Sequence, residues 1–160
     1  MDIDQLDLRE AADQEYWLQL RVGDRLLFCD MKKQERPLRV KVASVAKSGV
    51  EDAVKAVTRA GRMSASAENA LVHANRQQRA ELEKRLEEIE RTTEKAITRF
   101  LTTAILGWEN IERGGKPLPF AIDALDDLSQ KGAPLYRMAI AIAEDAALAM
   151  DPFTDAVSAS

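Results

Sequence analysis

Residue types able to do chemistry are few in this chain and poorly placed for it. His73 is the only histidine among 160 residues, and it stands on a polar stretch with no second His or Cys at metal-ligand spacing. Cys29, the only cysteine, lies among Leu26, Leu27 and Phe28, in a run whose pattern places no cation to generate a thiolate. Asp126-Asp127 and Glu87-Glu88 are adjacent pairs. On a helix they point to different sides and cannot converge as an acid and base couple. Asp123 and Asp127 do share a helical face but lack a third ligand for a hard cation. Gly114-Gly115-Lys116 lacks the preceding strand and the spaced glycine of a phosphate-binding loop. The expectation is a protein without catalytic residues, metal or cofactor, and not an enzyme.

Composition points the same way. Charged residues are 31% and hydrophobic residues 46% of the chain, with a net charge of −4, which predicts one folded domain of ordinary size. The acidic start Met1-Asp2-Ile3-Asp4 is unlike a secretory leader, and no apolar run is long enough to span a bilayer. With a lone cysteine unable to close an internal disulfide, the expected compartment is the reducing cytoplasm. Charge is uneven along the chain. Residues 1–15 hold six acids against Arg9, residues 121–160 seven acids against Lys131 and Arg137, and residues 16–61 ten cations against five acids. Such asymmetry favours contacts with other proteins. Lys32, Lys33, Arg36, Arg39 and Lys41 form the one basic cluster, a candidate contact for an acidic partner. No aromatic residues are interleaved there and the whole chain is acidic, so nucleic acid is not the expected partner.

The elements that must position these residues predict an α+β fold, mainly α. Tyr16, Leu18, Leu20 and Val22 alternate with polar positions, Gly23-Asp24 supplies a turn, Leu26–Cys29 returns, and Leu38, Val40 and Val42 alternate again after a polar loop. A small three-stranded antiparallel meander is expected, followed by four helices. Ser48 and Glu51 match a capping box for a helix running to about Ala60, which Gly61 would end.

A long helix is then expected over roughly 66–106, either continuous, bent, or split near Asn75. Its stripe includes Leu71, Leu82, Leu86, Ile89, Ile97, Phe100, Leu101 and Ile105. Over residues 74–95 the stripe is narrow and holds six cations and six acids, with Glu81–Arg85, Lys84–Glu88 and Glu87–Arg91 at pairing distance, as in a coiled coil or a projecting arm. Leu82, Leu86 and Ile89 are therefore a candidate interface stripe, and a homo-oligomer is one outcome. Two further helices, about 121–130 and 134–149, follow a connection and are separated by Lys131-Gly132-Ala133-Pro134. The corresponding organisation is a sheet-plus-helix unit (1–61), an arm (62–106), a C-terminal helical part (107–151) and a tail (152–160).

The connection itself is the most distinctive stretch. Trp108-Glu109-Asn110-Ile111 leads into Gly114-Gly115-Lys116-Pro117-Leu118-Pro119-Phe120, where the two prolines hold Leu118 extended and the aromatics can anchor the next helix. As physics it need be no more than a rigid corner. This string, followed by two helices, resembles the C-terminal half of tail assembly chaperones of long-tailed bacteriophages. Asp7–Asp13 followed by Tyr16-Trp17-Leu18-Gln19-Leu20 is similar to the small N-terminal sheet of related phage tail proteins. Residues 62–95 are unmatched. The resemblance implies a non-enzymatic protein of the host cytoplasm that holds tail-tube and tape-measure proteins before the tube polymerises. It singles out Trp108, Lys116, Pro117, Leu118, Pro119 and Phe120 as corner or partner-contact residues. Another phage structural component, such as a connector or tail-completion protein, and an inhibitor of a host defence complex are the alternatives.

Overall fold

Alternation around Leu18 and Val40 produces the expected strands. The structure, a computed structural model, describes residues 14–45 and 47–149. Strand β1 (Glu15–Gln19) pairs antiparallel with β4 (Arg39–Ala43), setting Leu18 against Val40 and Trp17 against Lys41. Between them, β2 (Arg21–Val22) and β3 (Arg25–Leu26) form a separate hairpin, whose turn places Gly23 at φ 59°. The Asp7–Asp13 opening and the 152–160 tail lie outside the described residues.

The fold is α+β and mainly α, with a three-stranded antiparallel sheet and four helices, one of them long. The identity of one strand differs from expectation. Leu26–Cys29 does not join the sheet: only Leu26 extends the short hairpin, and Phe28 meets Pro37 in an isolated bridge. The third strand is β5 (Ile105–Glu109), which pairs with the other side of β4 and gives the order β1-β4-β5. Val40 faces Trp108 across that pair. The expected helix to Leu106 therefore ends at Ala104, where Ile105 turns extended at φ −80° and ψ 122° while its N–H still bonds the Leu101 carbonyl. A β-branched residue at that junction accepts the extended state readily.

Helix α1 (Val50–Val72) and helix α2 (Arg76–Ala104) fold against each other as a hairpin. Gly61 does not terminate a helix; it lies inside α1. A Cβ there would sit 3.3 Å from Ile140 Cδ1, so the glycine admits α4 (Pro134–Ala149) to close range. The start of α1 also differs from expectation. Gly49, at φ 86°, occupies the N-cap, and no side chain caps the helix, so the Ser48–Glu51 capping box does not form. Of the possibilities for the long helix, the split at Asn75 is the one adopted. Asn75 Oδ1 accepts from the Gln78 N–H at 2.9 Å, and Gln78 Oε1 accepts from the Asn75 N–H at 3.2 Å. This reciprocal cap satisfies donors that a break would otherwise strand.

Sheet, hairpin base and α4 share one core. Val40, Val42, Val50, Val57, Ile97, Phe100, Leu101 and Leu135 are fully buried within it. Helix α3 (Ile122–Ser129) adds Ala124 and Leu125. The far end of α4 is tied to the β2–β3 hairpin by Arg21, whose Nε and Nη2 donate to the two carboxylate oxygens of Asp145 at 2.9 and 3.0 Å. That bond and its charge raise the Arg21 pKa further.

Candidate protein-interaction surfaces

The Trp108–Phe120 corner is built inward. Beyond β5, β6 (Glu112–Arg113) and β7 (Lys116–Pro117) form a hairpin around Gly114 and Gly115. Their φ values of 60° and 77° explain the paired glycines, since a two-residue turn of this kind needs positive φ at both positions. Trp108 is buried, its indole Nε1–H donates to the Leu118 carbonyl at 2.7 Å, and Phe120 meets it edge-on at a centroid distance of 4.8 Å. Asn110, at φ 62°, donates its side-chain amide to the Pro37 carbonyl at 2.8 Å. Trp108, Leu118 and Phe120 therefore hold the corner to the sheet, while Lys116, Pro117 and Pro119 stand exposed on it. Ile122, 81% exposed, lies just beyond.

The basic cluster is largely neutralised. Arg39 pairs with Glu109 across the β4–β5 ladder, Lys41 Nζ lies 2.7 Å from Glu15, and Arg36 lies 3.2 Å from Glu112 and 4.0 Å from Asp30. Asp30 in turn accepts the Arg36 and Glu35 N–H groups, and the Arg36 N–H bond above all holds its carboxyl below the ordinary value. Lys32 and Lys33 are exposed on the turn. The outward face of the sheet carries a feature that the sequence reading did not single out. Arg39 and Lys41 stand over the Trp17 ring at 5.4 and 5.6 Å, stacking cations on an aromatic. The signal was present, since the alternation puts Trp17 on the polar side of its strand.

The Leu82, Leu86 and Ile89 stripe faces a neighbour within the chain. Ile89 is buried and Leu82 and Leu86 are half-buried, because the second half of α1 folds back along the first half of α2. Glu81–Arg85, Lys84–Glu88 and Glu87–Arg91 do not close as ion pairs, whereas Glu51–Lys55 does at 2.9 Å. Along one flank of this hairpin run two adjoining grooves, of about 290 and 380 Å³. Ala70, Leu82 and Arg85 line both. Arg62, Met63 and Ala67 belong to the first, and His73 to the second. Reading Gly61 as a helix stop is what hid this continuous α1 wall from the sequence.

No family model, curated protein or solved structure matches the chain. Its chemistry-bearing residues stay dispersed in the fold. His73 is exposed at the end of α1. The Cys29 thiol has its pKa raised, first by hydrogen bonding with Glu112 and then by desolvation, the opposite of what a nucleophilic thiol needs. Asp127 lies 3.8 Å from Arg113. Gly114-Gly115 makes a hairpin turn rather than a phosphate cradle. Among the described residues, no group of His, Cys, Asp and Glu is gathered as a metal site and no helix is long and apolar enough to cross a membrane.

Proposed function

We propose that this protein is a non-enzymatic assembly chaperone, binding tail-tube and tape-measure proteins of a long-tailed phage before the tube polymerises. The family resemblance of the Trp108–Phe120 string supplies the identity of the partners. The observation that supports a binding role is the two-helix arm. Beyond Ile89 it has little apolar cover of its own: Leu82 and Leu86 are half-buried, and Met63 and Val72 are 41% and 73% exposed. A holding protein needs such surface, apolar enough to cover a polymerising partner and charged enough at its rim to let go. Within the described residues, β1 and β5 each have one side unpaired, offering edges for strand addition. The exposed Lys116, Pro117 and Pro119 sit on a corner made rigid by Trp108 and Phe120 and can meet a partner without rearrangement.

Affinity capture with tagged protein from cells expressing the tube and tape-measure proteins tests this reading. Recovery of either one supports it, with the protein itself missing from purified particles. Recovery of neither, or a fixed copy number in the particles, contradicts it. The second result would favour a connector or tail-completion role.

A further inference from the structure

The arm carries an open groove whose apolar floor and unpaired cations specify a partner chemistry. Met63, Ala67 and Ala70 on α1 face Leu82 and Ile89 on α2. The charged side chains lining the inner groove are Arg62 on α1 and Arg85 on α2. Both are exposed, and neither closes an ion pair among the described residues. Arg85 even has Glu81 one turn away on its own helix and leaves it unpaired. Helix α4 does not cover this flank. It meets α1 at Gly61, and helical geometry puts Met63, Ser66 and Ala70 on the far side of α1 from that contact. From Arg62 to His73 the two adjoining grooves follow about three turns of helix. Glu81 lines the outer one beside Arg85, so the purely cationic lining belongs to the inner groove.

We propose that this groove docks an acidic amphipathic helix of a partner protein, its apolar side on Met63, Ala67, Ala70 and Leu82 and its carboxylates flanked by Arg62 and Arg85. A third helix there completes a three-helix bundle and buries the half-covered seam, and an apolar stripe at i, i+3, i+4 and i+7 matches a groove of this length. A second copy of the chain docking groove to groove would bring its own Arg62 and Arg85 against these, so like charge disfavours that occupant. The inference does not rest on the identity of the tail proteins.

Two fluorescent peptides of about four helical turns test it on the full chain. Both carry leucine on one face, and their remaining positions are glutamate in one and lysine in the other. The glutamate peptide is expected to bind saturably and to lose at least about tenfold in affinity to the double variant Arg62→Glu/Arg85→Glu. The lysine peptide should prefer that double variant. Met63→Glu should weaken binding of the glutamate peptide to the natural chain. Unchanged circular dichroism melting of these surface variants separates lost docking from lost folding. No binding of the glutamate peptide, or binding indifferent to the charge reversal, overturns the proposal. So does tighter peptide binding after removal of residues 2–13, which would make the chain's own acidic segment the occupant. Self-association abolished by Met63→Glu would overturn it in favour of a second copy.

Discussion

Phe100 and Leu86 lie on one helix and one apolar stripe, yet Phe100 has no exposed surface and Leu86 is only half-buried. The helix is the same; the surroundings differ. Around Phe100 the sheet, α1 and α4 converge, so its stripe is covered from several directions. Around Leu86 only the returning half of α1 is present. Two helices in contact can bury a narrow seam but not a stripe with its flanks. In the outer part of the hairpin, residues 62–72 and 76–89, only small Ala67 and basal Ile89 are buried. One end of a single hairpin is thus committed to the fold and the other is left available.

Substitutions in the two regions should separate them by size of effect. Phe100→Ala removes a wholly buried ring and should cost about 3–5 kcal/mol, seen as loss of the entire urea transition or a large fall in its midpoint. Trp108→Phe keeps the ring against Phe120 but leaves the Leu118 carbonyl without its donor, and should cost about 1–3 kcal/mol in the same measurement. In the arm, Leu86→Ala should cost about 1 kcal/mol, because a half-covered leucine gives up roughly half of its transfer free energy. Equal losses for Phe100→Ala and Leu86→Ala would break the distinction. Asn75→Ala removes the side-chain half of the reciprocal cap, leaving the Gln78 N–H without its acceptor while the residue 75 N–H can still bond Gln78 Oε1. It should cost about 1 kcal/mol, with faster amide exchange confined to the ends of α1 and α2 near the turn.

The smallest effect belongs to the base loop around Asp30. Its folded pKa is depressed, chiefly by the Arg36 N–H bond. Its contribution is therefore complete above the ordinary carboxylate value and is lost as pH falls through the lower folded value. An NMR titration should show the Glu35 and Arg36 amides moving together in that acidic range, and Asp30→Asn should abolish the transition while leaving the arm unchanged.

Much of this division was legible from residue patterns. Period-two alternation located β1 and β4, helical periodicity with the Gly132-Ala133-Pro134 break located α3 and α4, and the narrow, charge-dense stripe over residues 74–95 marked the arm. Strand β5 was hidden because Leu101, Ala104, Ile105 and Leu106 continue a helical stripe, and Gly107 then looks like a helix stop. What makes them a strand is the vacant side of β4, a partner distant in sequence. Gly61 misled for a related reason: its role is close approach to Ile140, which no local rule records. The pairings Arg39–Glu109 and Arg21–Asp145 likewise join residues far apart in the chain. The split at Asn75 was readable only as one of several possibilities, since the helical stripe continues past it on both sides.

Native-state amide hydrogen exchange, with and without the acidic leucine-faced peptide, tests the central division most directly. In the free protein, amides of residues 64–72 and 78–86 should exchange through openings of lower free energy than those of Val40, Val42 and Phe100. Adding the peptide should slow the arm selectively. Arm amides already as slow as the core, or peptide protection appearing on the sheet instead, would contradict the account.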